Sequence, residues 1–127
     1  MNFYEREEMM ELARNPKNKG TILDAAIKIK EVNPLCGDEV TIYANVESGK
    51  ISEIAFDGKG CVISQAATSL LTEELKGKTI KEIEAMGMED VKNALKCELS
   101  PSRMKCAMLS LFAIKKAIKN YKCGKNE

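Results

Sequence analysis

The residues in this chain best suited to chemistry are five cysteines, Cys36, Cys61, Cys97, Cys106 and Cys123, in a sequence without histidine. The missing imidazole excludes His-based Ser or Cys triads and His-ligated zinc. Gly77-Lys78-Thr79 ends like a phosphate-binding loop, but the upstream glycine of that motif is Thr72 here. Gly58-Lys59-Gly60 lacks the third glycine of a dinucleotide loop. What remains is thiolate chemistry, the binding of soft metals and attack on sulfur. The amino-terminal stretch Met-Asn-Phe-Tyr-Glu-Arg-Glu-Glu is acidic rather than positive-then-apolar. No apolar run approaches the roughly 18 residues that span a bilayer. A cytoplasmic location with reduced cysteines is therefore expected, and this cysteine frequency then points to metal or sulfur chemistry rather than to disulfides.

Three of the five share a structural logic. Cys36 lies in the turn Asn33-Pro34-Leu35-Cys36-Gly37-Asp38, Cys61 ends the Gly-rich stretch Gly58-Lys59-Gly60, and Cys106 lies near the start of the last helix. Asp38, two residues beyond Cys36, can add an oxygen ligand. A helix amino terminus beside Cys106 would favour its thiolate through the dipole and open amides. Gly37, Gly58 and Gly60 suggest loops that adapt to a filled or an empty site. No CxxC knuckle is present, so spacing alone leaves a joint metal site and separate core cysteines both open. Cys97 and Cys123 read as structural or spare, the latter in a Lys-rich tail.

The elements that would position these groups are legible. Phe3 to about Arg14 has helical spacing and is stopped by Asn15-Pro16-Lys17-Asn18-Lys19-Gly20. Ile27 and Ile29 alternate with lysines in a first strand. Val40, Ile42, Ala44 and Val46 alternate with polar residues over nine positions, and Ser48-Gly49 turns the chain into a return strand over 50–57 with Ile54 and Phe56 on one face. Residues from about Ser64 to Lys76 read as a helix, and Thr79 caps a short one over Ile80–Ala85. Met88–Leu95 gives another, and Ser100-Pro101 opens a long helix to about Tyr121. Strands followed by helices indicate an α+β fold with a long C-terminal helix. If the hairpin packs on the helices, Cys36 and Cys61 lie at one end of the sheet, where the last helix can bring Cys106.

Composition bounds the alternatives. A chain of 127 residues, 44% hydrophobic, suits a single domain over 1–127 with a core of its own. The net charge of +1 and 5% aromatic content argue against a nucleic-acid binder, and no membrane partner is expected. Residues 92–127 nevertheless carry nine Lys and Arg against two Glu, leaving −6 on residues 1–91. These lysines either coat a terminal helix and favour its dipole or face an acidic partner.

At these motifs the sequence resembles the U-type iron–sulfur scaffold family, comprising IscU, SufU and the amino-terminal domain of NifU. Asn33-Pro34-Leu35-Cys36-Gly37-Asp38, Gly58-Lys59-Gly60-Cys61-Val62-Ile63-Ser64-Gln65-Ala66 and Arg103-Met104-Lys105-Cys106-Ala107 carry the resemblance, in the family's order. It implies a SufE/NifU-like α+β fold, with a small three-stranded antiparallel sheet packed against helices, and a scaffold, not an enzyme, that receives persulfide sulfur from a cysteine desulfurase and iron from an iron donor. A transient [2Fe–2S] cluster then forms and passes to apo iron–sulfur proteins, with a homo-oligomer possible around the cluster. Carried over, the ligands are Cys36, Asp38, Cys61 and Cys106. Cys106 and then Cys36 are the persulfide acceptors, and Gly37, Gly60 and Lys105 are auxiliary.

The departures define a second reading. IscU proteins carry histidine where Lys105 stands, whereas Arg103-Met104-Lys105-Cys106 matches the Arg-x-Lys-Cys of SufU proteins. The 45-residue step from Cys61 to Cys106 is short for the segment SufU proteins insert there. The chaperone-recognition stretch of IscU, Leu-Pro-Pro-Val-Lys, is Leu99-Ser100-Pro101-Ser102-Arg103, and the later NifU domains are not found. The alternative expectation is thus a SufU-like relay in which the same ligands hold Zn2+, Lys105 helps retain sulfur on Cys106, and sulfurtransferase activity is open.

Overall fold

The computed structural model describes residues 3–33, 37–95 and 99–122. Cys36, Cys97 and Cys123 lie outside the described residues. In order the elements are α1 (Phe3–Arg14), β1 (Ile27–Val32), β2 (Glu39–Glu47), β3 (Lys50–Lys59), α2 (Val62–Leu75), α3 (Ile80–Glu84), α4 (Met88–Leu95) and α5 (Pro101–Lys122). The expected α+β fold, with its three-stranded sheet and long last helix, is the one observed.

The sheet is antiparallel in the order β1-β2-β3, with Val32 opposite Glu39 and Glu39 opposite Lys59. The β2–β3 turn uses Ser48 at φ 54° and Gly49 at φ 76°, two positive values whose twist suits a tight hairpin. Ile27, Ile29, Val40, Ile42, Ala44, Ile54 and Phe56 are buried on one face, while Lys28 and Lys30 point outward. Ile51 is also buried, although three residues from Ile54 it would point outward in a regular strand. A register shift at Asn45/Val46 places Ile51 opposite Val46 and restores its inward direction.

Helices α2 and α5 pack on each other and on the sheet, and α1 lies on α2. Leu71, Leu75, Leu111, Ile114 and Ile118 are almost completely buried between these layers. Two irregular segments cover the outer edge of β3. Phe56 N–H donates to Asn18 O at 2.9 Å and Gly20 N–H donates to Phe56 O at 2.8 Å; farther along, Ile51 N–H donates to Lys78 O at 3.0 Å. An edge strand so paired is no longer a template for another chain. The first segment is also tied to α2, where Lys17 N–H donates to Ser69 Oγ and Asn18 Nδ2 to Thr72 Oγ1. Those bonds account for buried hydroxyls on an otherwise apolar helix face.

Candidate metal centre

The site forms where β2 begins, β3 ends and α2 starts. Asp38 is 3% exposed, which demands partners for its carboxylate. Its Oδ1 accepts Cys61 N–H at 3.0 Å, and Cys61 Sγ donates to Oδ2 at 3.6 Å. Helix α2 starts earlier than its apolar pattern suggests, at Val62, because Cys61 is its N-cap. The Cys61 sulfur accepts Ser64 N–H at 3.4 Å, and Ser64 Oγ donates to Cys61 O at 3.2 Å. The thiol at a helix amino terminus is therefore Cys61. Cys106 is the sixth residue of α5, whose first turn is capped by Ser100 Oγ accepting Arg103 N–H at 3.4 Å.

Two glycines fit this corner tightly rather than loosening it. A Cβ on Gly60 would lie 2.7 Å from Asp38 Oδ1 and against Ser64 Oγ. Gly58 lies within β3 at φ +144°, and a Cβ there would strike Glu39 O and come 2.9 Å from Val40 Cα. The expectation of adaptable loops at Gly58 and Gly60 is thus replaced by close approach of backbone and ligand. Gly37, at φ +76°, turns the chain into Asp38, and its N–H donates to Asn33 O at 2.8 Å.

The ligand atoms of Asp38, Cys61 and Cys106 all lie within 4.8 Å of one another. Asp38 is buried, Cys106 half-buried and Cys61 exposed, so the cluster opens outward. Ligand sulfurs on a tetrahedral zinc with Zn–S bonds of about 2.3 Å sit about 3.8 Å apart, so a metal needs only modest closure of these donors. Two thiols and a carboxylate suit iron or zinc, with room for a fourth ligand on the open side. Cys61 and Cys106 line an outward-facing depression of about 410 Å³ with Met9, Met10, Val62, Ile63 and Arg103.

Lys105, expected to assist Cys106, does not line the depression that holds Cys61 and Cys106. It is exposed and lines neighbouring depressions with Val32, Asn33, Met108 and Phe112, neither of which includes Cys61 or Cys106. The residue before Cys106 is rotated by about 100° around a helix of 3.6 residues per turn, whereas the residue three before it shares its face. That spacing identifies Arg103 as the cation of this depression. Met9 and Met10 come from α1, and no local pattern near the cysteines announces them.

The comparisons with known proteins agree with this geometry. The family model for the NifU-like N-terminal domain matches residues 4–127. The chain belongs to that family. This NifU-like domain is 33% identical to the iron–sulfur cluster assembly scaffold protein IscU of Thermotoga maritima, over 89% of this chain and 91% of the relative. It is 29% identical to the zinc-dependent sulfurtransferase SufU of Bacillus subtilis, covering 89% and 88% respectively. Among solved structures it resembles FiSufU of Fervidobacterium islandicum, described as an iron–sulfur cluster assembly scaffold protein for the SUF system. That match has a TM-score of 0.74 and 31% identity, over 88% of this chain and 94% of the other. No helix among the described residues is long and apolar enough to cross a membrane.

Proposed function

We propose that this NifU-like domain is an iron–sulfur cluster assembly scaffold, with Cys36, Asp38, Cys61 and Cys106 as the ligands of a transient [2Fe–2S] cargo. The convergence of the Asp38, Cys61 and Cys106 donor atoms within 4.8 Å carries this reading. Cys36, two residues before Asp38 in sequence, is the proposed further thiolate. Sulfur arrives when the Cys106 thiolate attacks the outer sulfur of a persulfide on a cysteine desulfurase. One S–S bond breaks as another forms, and the donor leaves as its thiolate. Conversion of that sulfur to sulfide takes two electrons from an external reductant, and iron comes from a separate donor. Release to apo-proteins is favoured by the exposure of Cys61, since an open ligand can be replaced by an acceptor thiolate.

Likeness to the Bacillus subtilis zinc-dependent sulfurtransferase supports a second reading, in which the same donors hold Zn2+ and the chain relays sulfur. Iron, zinc and acid-labile sulfide per chain, measured on protein purified without oxygen, separate the two. Iron and sulfide in equal amounts are expected for the scaffold, and their loss should follow Cys61→Ala or Cys106→Ala. One zinc per chain without sulfide, together with stimulation of a desulfurase, would favour the relay. Full metal retention in both cysteine variants would overturn both readings.

A further inference from the structure

The depression holding Cys61 and Cys106 has an uneven electrostatic lining. Met9, Met10, Val62 and Ile63 present apolar surface, and Arg103 is the one fully charged cation among its lining residues. The Arg103 side chain forms no ion pair or hydrogen bond with other described residues; only its backbone N–H is engaged, with Ser100. Four lysines of α4 and α5 are occupied elsewhere. Lys92 pairs with Glu89, Lys116 with Glu31 and Lys122 with Glu84, while Lys115 Nζ donates to Met86 O at 2.6 Å. Arg103 stands three residues before Cys106 on α5, so both side chains share a face.

Each loaded form proposed for this site is anionic as a whole. A persulfide ends in a sulfur that is charged near neutral pH, and three thiolates with a carboxylate around a diferric [2Fe–2S] unit leave a net dianion. Apolar walls make such charge costly unless a counter-charge lies beside it. The start of α2 offers partial positive charge to Cys61. A guanidinium offers a full charge and several diverging donors, and it is less strongly hydrated than an ammonium.

We propose that Arg103, rather than Lys105, is the positioning residue that holds the terminal sulfur of a persulfide formed in this depression. The inference rests on the sulfur-accepting part of the proposed function. It predicts that Arg103 sets how long sulfur stays on the chain, while cysteine and aspartate ligands set whether metal binds.

The test loads the reduced, metal-free chain with inorganic polysulfide. A cysteine thiolate attacks the polysulfide, one S–S bond forming as another breaks, and a polysulfide shorter by one sulfur leaves. Intact mass and peptide mapping then follow loss of the added sulfur from Cys106 to a fixed concentration of reductant. Arg103→Gln should shorten the persulfide lifetime about two- to fivefold, the upper part of the range for an exposed charge pair. Arg103→Lys should restore part of it, and added salt should narrow the gap between Arg103→Gln and the parent. An unchanged lifetime in Arg103→Gln would overturn the proposal, as would a larger effect of Lys105→Gln. The measurement needs only the thiols and inorganic polysulfide. A chain that bound neither iron with sulfide nor zinc would therefore sink the metal readings without deciding this one.

Discussion

The Asp38 carboxylate accepts the backbone N–H of Cys61 at 3.0 Å and so joins the start of β2 to the start of α2 across 23 positions of chain. The same carboxylate receives the Cys61 thiol through its other oxygen at 3.6 Å. Asp38 is thus a structural brace when metal is absent and a candidate ligand when it is present. The two roles compete for the same oxygens, so a metal that takes Asp38 loosens the brace on Cys61.

Removing the brace should cost stability even without metal. Asp38→Ala leaves Cys61 N–H without its buried acceptor, and about 1–3 kcal/mol of destabilisation is expected. Urea unfolding of metal-free protein measures it. An Asp38→Ala chain as stable as the parent would show that the bond contributes nothing.

Cys61 joins two functions that serine can separate. Cys61→Ser keeps a good N-cap but weakens soft-metal binding, whereas Cys61→Ala loses both. Metal content should fall in each variant. Metal-free stability should fall in the alanine variant alone, by about 0.5–2 kcal/mol. Equal unfolding midpoints for the two metal-free variants would argue against Cys61 as a working cap.

Gly60→Ala should damage the site more than the fold. Its new methyl would push Asp38 Oδ1 from 2.7 Å and displace Ser64 Oγ. Zinc affinity, followed by competition with a coloured chelator, should drop at least tenfold, equal to about 1.4 kcal/mol. Gly87→Ala is the comparison, because nothing lies within 4 Å of its Cβ position. Equal effects at the two glycines would refute the steric account.

Bound metal should raise the melting temperature with the logarithm of its free concentration over its dissociation constant, once that ratio exceeds one. Occupancy at about 100 times that constant adds about 2.7 kcal/mol. Chelation by EDTA should therefore lower the melting temperature of the parent chain but not of Cys61→Ala or Cys106→Ala. An EDTA effect that persists in both variants would locate the stabilising metal elsewhere.

Acid should weaken the fold through carboxylates far from the site. Glu82 lies below its ordinary value of 4.5, chiefly because its carboxylate accepts Thr79 N–H at 2.9 Å in the capping box of α3. Glu11 is lowered as well, first by Asn15 and then by Arg14. A depressed carboxylate stabilises the fold above its unfolded value and loses that contribution as pH falls through its folded value. The melting temperature should accordingly decline as pH is taken from about 5 toward 3. Glu82→Gln, which keeps a capping side chain, should make that decline shallower. An identical pH slope in Glu82→Gln would remove Glu82 from the account.

The sequence alone determined the elements and their order, because burial imposes periods that survive in one dimension. Alternation over β2 and the Ser-Pro opening of α5 are local signals, and the structure carries both. The Cys-Gly-Asp, Gly-x-Gly-Cys and Lys-Cys motifs likewise marked Asp38, Cys61 and Cys106, whose donors the fold brings together. Tertiary structure decided the rest. The covering of β3 by residues 18–20 and 78 depends on hydrogen bonds between distant segments, for which an irregular stretch carries no periodic signal. Cys61 as a helix cap and Gly60 as a close-packing position both follow from where Asp38 arrives in space. That Arg103 and not Lys105 lines the depression of Cys61 and Cys106 follows from the rotation of α5. Adjacency in sequence places two residues near each other, but helix phase decides which one shares the depression.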